Sequence, residues 1–521
     1  MALLRDPRSA IILVLCAWVI GTAISLPGDG NWDLRNYHLY GPFALFHHEA
    51  ALDIAPAQAQ TFHIPTLDIP YYLLALHVRS VRLLNAVLAI PHAVAVALAF
   101  LVTTRVLRAD DWPGLALAAV ATVFGATGTA TWPVLATTMD DSIPIALVLS
   151  ALLMVMADAP WTWRRVLAAG LLCGAAAGLK LTSAYAGVGL GVALAVARGG
   201  TAADRGWRVG VFGAGCVAGA VMLAGWWWWR VYGETGSPLF PYFNGLFRSP
   251  LAAPVSTVDT RFFPRSLGQW LGYPFYWAAQ PFRGPAEMPI RDPRLALAML
   301  GTAALALQAI RRRDWMAGLL TVFLVVSYLV WLRQFSILRY LSSVELLTGT
   351  ALAAAAWPLL RTARARLAAV PVSMALLAGV IAVTHYPDWE HAPRCRRTAV
   401  CPPPIAVRMP AMAEGSLVLL LDTAPAAYIR VFAPFSTRFA GVHNNLIGLN
   451  PAEPLQRRVQ QALDAQEGEI WGLEETGGMA GYADASLAFY GLQRDGCTPV
   501  VSNLDASRMV MCKLRRNERR G

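Results

Sequence analysis

Residues 28–42 read GDGNWDLRNYHLYGP and follow directly on an apolar run at 9–27. The stretch holds Asp29, Trp32, Asp33, Arg35, Tyr37, His38 and Tyr40. The run before it has the length needed to cross a hydrocarbon core of about 30 Å. Its basic start, MALLRDPRSA, predicts a cytoplasmic N-terminus. Many further apolar runs follow and no clear small-x-small site appears, so the run reads as a span and not as a cleaved signal peptide. The polar stretch then emerges on the outer side of a membrane.

Composition supports a membrane class. Of 521 residues, 56% are hydrophobic and 14% charged, against about 25% charged in a soluble domain. The net charge of +11 is carried by arginines at the ends of apolar runs. Membrane topology produces that pattern, and a nucleic-acid partner is excluded. Only Lys180 and Lys513 are lysines.

Apolar runs recur near 83–104, 114–134, 143–157, 165–180, 183–197, 209–229, 294–310, 315–332, 341–360 and 366–384. With the first, this predicts a mostly α polytopic bundle of about eleven spans. The turns RVLRADDW, DAPWTWRR, ARGGTAADRGWR, RRRDW and RTARARL all carry arginine and then face the cytoplasm. The outer side receives 28–82, with an amphipathic helix expected over LRNYHLYGPFALFHH, then 131–142, 230–293 and 331–343. WWWW at 226–229 reads as an interfacial aromatic belt, and the Pro- and aromatic-rich 230–293 loop as a lid on the membrane surface.

The chain thus divides into a membrane domain, 1–385, and a small extracytoplasmic α/β domain, 386–521. In the latter, SLVLLLD and GEIWGLE read as strands, PLQRRVQQALDAQ and ASLAFYGLQ as helices, and CTPVVSN with SRMVMCKL as a closing hairpin. Cys395, Cys401, Cys497 and Cys512 share this part, which fits an oxidising compartment. The local pairings are 395/401 and 497/512, one of three connectivities. No phosphate fingerprint or catalytic motif is present there, so a recognition or structural role is expected.

Charged groups near a membrane are costly and usually have a use. The outer loops supply Asp29, Asp33, Arg35, Tyr37, His38, His63 and Asp68, then Asp140 and Asp141 in TMDDSIP, Lys180 in GLKLTSAY, and Arg333, Arg339 and Tyr340 in WLRQFSILRYLSS. Each has a bland alternative. Asp33 and Asp141 stand where helix N-caps belong, and Arg333 and Arg339 could anchor lipid headgroups. The histidines lack the i,i+4 spacing of a metalloprotease-type site. Lys180 is hardest to dismiss, since a compact ammonium suits a phosphate.

NWDLRNYHLY after the first span, TMDDSIP, GLKLTSAY and LRYL together resemble the C-type glycosyltransferases. These polytopic enzymes include protein O-mannosyltransferases, lipid A aminoarabinose transferases and oligosaccharyltransferases. The resemblance covers roughly residues 1–385. It implies a polyprenyl-phosphate sugar as donor and an acceptor hydroxyl on a glycan, lipid or protein. Asp33 matches the functional acid of the first outer loop, Asp140 or Asp141 the second acid, and Arg339 the lipid-phosphate contact. The first-loop acid lacks the Asp-Glu pair of the O-mannosyltransferases. Expected roles are Asp33 as general base, Lys180 and Arg339 on the leaving phosphate, and a divalent cation, Mg²⁺ or Mn²⁺, on Asp33 and Asp140. The expected location is a bacterial inner membrane, with the C-terminal domain periplasmic or extracellular. A transporter or flippase would place ionisable residues near the midplane and repeat its helix pattern, and neither is seen. A ligase moving a whole lipid-linked glycan shares the donor chemistry and stays open.

Overall fold

The structure is a computed structural model that describes residues 6–47, 52–157, 160–196, 200–256, 259–392, 403–477, 479–504 and 508–517. Among these, six helices are long and apolar enough to cross a membrane: Pro7–Ser25, Val81–Leu107, Ala202–Thr235, Arg294–Arg312, Trp315–Gln334 and Ala363–Val383. The other five expected runs form the shorter helices Trp112–Ala126, Ser142–Val155, Trp163–Leu179, Ala184–Val196 and Thr348–Ala356. About eleven spans were expected, and six meet the length and composition of a span.

The run at 114–134 shows why a shorter helix results. Its helix stops at Ala126, and 127–141 folds back in turns. Buried carboxylates replace the helix as partners for the turn's backbone. Glu345 accepts from Ala130 N and Thr131 N, and Asp292 from Thr129 N. Such buried donors need partners, and side chains from distant segments provide them here.

Helix Trp163–Leu179 packs directly on the backbone of Ala202–Thr235. A Cβ on Gly174 would lie 1.9 Å from the Cys216 carbonyl oxygen, so only glycine permits this approach. The 34-residue helix Ala202–Thr235 is about 51 Å long and overshoots the hydrocarbon core. Its end reaches the first outer loop, where the Trp227 indole N–H donates to the Phe62 carbonyl at 2.9 Å. Its neighbours Trp226 and Trp229 are exposed.

The C-terminal part contains one six-stranded sheet. Its strands are β1 (Val407–Arg408), β2 (Leu417–Leu420), β3 (Arg438–Gly441), β4 (Ile470–Glu475), β5 (Leu492–Ser502) and β6 (Met509–Arg516), in the order β1-β5-β6-β4-β2-β3. β3, β2 and β4 are parallel, and the rest pair antiparallel. Helix Pro454–Asp464 falls where its periodicity predicts, whereas Ala480–Tyr490 starts before the expected ASLAFYGLQ and is capped at Gly491, so that Leu492 and Gln493 begin β5. β1 and β3 are additional strands. Cys497 and Cys512 are opposite each other in the β5–β6 ladder and form a disulfide. Cys395 and Cys401 lie outside the described residues.

This sheet shares its core with the first outer loop. Leu34, Tyr40, Phe43 and Tyr71 pack in one apolar cluster with Val418, Tyr428, Phe439 and Met511. The edge strand β3 is extended by Ile54, whose N–H donates to Phe439 O at 2.8 Å and whose carbonyl accepts from Gly441 N at 2.9 Å. Beside it, fully buried Arg430 pairs with fully buried Asp53 at 3.2 Å. The division at 386 follows the chain, but the packing runs across it.

Candidate active site

The segment that opened the sequence reading forms a short π-type turn, Leu34–His38, and a helix, Tyr40–Phe46. A single amphipathic helix was expected. Asn31, and not Asp33, caps the turn, with its Oδ1 accepting from Leu34 N at 2.8 Å. Asp33 is thereby left for other work. Its Oδ2 accepts from Arg339 Nη1 at 2.7 Å, across 306 residues of chain. Burial favours protonation of Asp33, but the Arg339 guanidinium overrides it and holds the carboxyl below its usual range.

Asp141 likewise occupies an N-cap position without capping. Its carboxylate pairs with Lys180 Nζ at 2.6 Å. The ammonium also donates to the Met139 carbonyl. Asp140 has the left-handed backbone, φ +52°, which aspartate tolerates better than most residues. A small cavity beside Lys180 is lined by Asp141, Thr182, Tyr185, Tyr340 and Ser343. A second, on the other side of Asp141, is lined by His92, Thr137, Asp140 and Ser142.

His38 Nδ1 lies 2.5 Å from Asp68 Oδ1. Donor atoms of His38, Asp68 and Asp140 all lie within 4.8 Å of one another. Among the described residues, His38 Nε2 and Asp140 Oδ2 are buried without a hydrogen-bond partner. Burial pushes the His38 imidazole down and the Asp68 and Asp140 carboxyls well up, and the Asp68 charge pushes Asp140 further. The three side chains thus bring one imidazole and two carboxyl groups together. Asp33 is not in this group.

The remaining expected residues frame the site. Tyr37 meets the His63 ring edge-on at 5.2 Å, and His63 Nε2 lies 3.0 Å from the Tyr242 hydroxyl. Tyr242 brings the 230–293 segment over the site. Arg339 Nη2 reaches the Tyr340 hydroxyl at 3.3 Å. Arg35 pairs with Glu390 of the interdomain linker. Arg333 is exposed at the end of its helix and makes none of these contacts.

Three features have roles that the sequence did not indicate. Asp29 is a brace, accepting from Thr138 N at 2.7 Å and Thr138 Oγ1 at 2.8 Å, and so ties the first outer loop to the turn that carries Asp140. Asp292, Arg294 and Glu345 hold the base of that turn. Trp389 lies against Arg339. Asp29 stands inside the quoted stretch, but nothing in its spacing points to Thr138. The others have no local signal.

His63 provides a pH test. Burial draws its imidazole down to about 4. The folded state therefore holds it neutral, while an unfolded histidine takes a proton below about pH 6.5. Stability is present above pH 6.5 and is lost as the pH falls from there toward 4. The ring is partly accessible, so about 1–2 kcal/mol is expected between pH 7 and 5. Thermal unfolding in detergent should show His63→Gln losing less stability over this interval than wild type. Equal losses would rule the effect out.

No protein family matches the chain, and no curated protein matches it in sequence. Among solved structures, the apo crystal structure of the Archaeoglobus fulgidus oligosaccharyltransferase is similar at 10% identity with a TM-score of 0.46. The likeness covers 90% of this chain and 69% of that one.

Proposed function

We propose that this chain is a membrane glycosyltransferase that moves a sugar from a polyprenyl-phosphate donor to an acceptor hydroxyl. The observation that carries this reading is convergence. Asp33, the pair Asp140–Asp141, Lys180 and Arg339 come from four separate loops, and the charge of each is felt at one buried site. Two cations, each paired with a carboxylate, beside a small cavity are what transfer from a phosphate leaving group requires.

In the reaction, the acceptor oxygen attacks the anomeric carbon, and the bond from that carbon to the phosphate oxygen breaks. Polyprenyl phosphate leaves with the electron pair. Asp33, ionised because Arg339 depresses its pKa, takes the hydroxyl proton. Lys180 and Arg339 offset the charge that gathers on the phosphate, in the cavity that Tyr340 and Ser343 line. Donor phosphate competes with Asp33 for Arg339, and a loosened pair returns basicity to Asp33. Asp141 orients the acceptor from the wall between the two cavities.

His38, Asp68 and Asp140 fit a divalent cation. Two carboxyls with one imidazole suit Mn²⁺ better than Mg²⁺, which favours oxygen alone. When bound, the ion supplies positive charge for phosphate oxygens. We place the site on the extracytoplasmic side of a bacterial inner membrane, in line with the arginine-rich opposite turns.

The test uses the purified full chain and a labelled polyprenyl-phosphate sugar. Expected products are free polyprenyl phosphate and label attached through an acceptor oxygen. Chelation should lower turnover, and Mn²⁺ should restore it. Donor that stays intact with every hydroxyl acceptor offered would defeat the assignment. Movement of intact donor across a vesicle would point to a flippase.

A further inference from the structure

We infer that Trp389, on the linker between the membrane helices and the sheet, is a substrate-contacting residue whose indole N–H joins Arg339 in binding the donor's phosphate. The inference rests on the donor reading above and adds a residue from a segment outside the outer loops between the spans.

Trp389 lies in HYPDWEH, residues 385–391, directly after the last span. The Arg339 guanidinium carbon is 5.6 Å from the centre of its ring, and 5.2 Å from that of Tyr340. The cation thus has two aromatic neighbours and one carboxylate, Asp33. Among the described residues, Trp389 Nε1 and Arg339 Nε are both buried donors without an acceptor. A buried tryptophan N–H normally finds a partner, and leaving one unpaired is destabilising. Two such donors on neighbouring groups, one of them cationic, lack one thing: an anionic acceptor. A phosphate offers several oxygens to both.

The linker is held so that the indole keeps this position. Gly30 N donates to Glu390 O at 3.2 Å, and Ala392 N to Gly28 O at 2.8 Å. Asp29 and His391 form an antiparallel bridge. The Glu390 side chain pairs with Arg35, and its backbone is left-handed, φ +64°. That conformation is uncommon for glutamate and needs surrounding support. Gly30 allows the approach, since a Cβ there would lie 2.9 Å from Ala392 N. The GDGN segment that begins the first outer loop is therefore also the seat of the linker. Clamping of the three residues that directly follow the tryptophan, next to the phosphate-binding arginine, is the arrangement expected of a preorganised ligand contact.

The experiment measures binding of farnesyl phosphate, a short isoprenyl monophosphate, to the full chain in detergent at pH 8, with farnesol as the uncharged control. Trp389→Phe keeps an aromatic ring over Arg339 and removes only the donor. We expect its Kd for farnesyl phosphate to rise about tenfold, with farnesol binding unchanged. Trp389→His, which restores a ring N–H, should recover most of the loss and so separates a donor effect from a packing effect. Wild-type affinity in Trp389→Phe would overturn the inference. So would equal weakening toward farnesol, or no recovery in Trp389→His. If wild type fails to bind farnesyl phosphate, the donor reading falls as well. If wild type binds and Arg339→Ala does not, but Trp389→Phe is unaffected, only the present inference falls.

Discussion

Asp33→Asn is expected to lower sugar transfer by about 10²–10⁴-fold, the range contributed by a positioned general base. The substitution keeps the shape of the side chain and an oxygen for Arg339 Nη1, now 2.7 Å from Asp33 Oδ2. It removes only the charge and the ability to take a proton. Binding of farnesyl phosphate should hold or tighten, because Arg339 loses its competing carboxylate. The loss therefore falls on kcat and not on KM. The pH profile of wild-type kcat/KM, which reports the free enzyme, carries the same information. Arg339 holds Asp33 below the usual carboxylate range, so the base stays ionised as the pH falls to that range and is lost only below it. Turnover within tenfold of wild type in Asp33→Asn would remove Asp33 from the proton-transfer step.

Arg294→Ala is expected to destabilise the protein by about 3–5 kcal/mol, the cost of leaving a buried charge unpaired. Arg294 is fully buried. Its Nη1 holds both oxygens of Asp292 at 2.9 Å, its Nε donates to Phe124 O at 2.8 Å, and its Nη2 to Thr127 Oγ1 at 3.1 Å. Nη1 also reaches Thr384 Oγ1 at 3.0 Å, at the end of the last membrane helix. One side chain thus ties the ends of three helices. Truncation strands Asp292, itself buried, and frees the base of the turn that presents Asp140 and Asp141. Thermal unfolding in detergent checks the magnitude. The double variant Asp292→Asn/Arg294→Met should recover a large part of the loss, because neither charge then remains. A single-variant loss below about 1 kcal/mol would be the figure for an exposed pair and would refute the hub.

In the sequence, arginines mark one set of turns and acids the other, and this asymmetry predicts which residues share a side. That logic grouped Asp33, Asp140, Asp141, Lys180 and Arg339 before any geometry was known. It does not say who pairs with whom. Asp33 and Asp140 were expected to share a cation, yet Asp33 faces Arg339, and Asp140 faces His38 and Asp68. Pairing depends on loop paths that no periodicity encodes. The triad joins residues separated by irregular turns, so it lacks the i,i+4 signature that helical ligands display. The helix expected through 114–134 ends early for a similar reason. Glu345, more than 200 residues away, offers its carboxylate to the backbone of 130 and 131. In the sheet domain alternation and apolar runs were enough for β2, β4 and the β5–β6 hairpin. The two-residue β1 and the four-residue β3 are too short to stand out.

The shared core of the first outer loop and the sheet bears on the order of biosynthesis. Residues 34–72 leave the ribosome early, but Tyr40, Phe43 and Tyr71 share their apolar cluster with Tyr428 and with residues of β2, β3 and β6. Met511, near the last residues of the chain, belongs to that cluster. The loop bearing Asp33 and His38 cannot settle until the final strand has reached the same side of the membrane. The segment that is encoded first is thus completed last, when the sheet supplies the other half of its core.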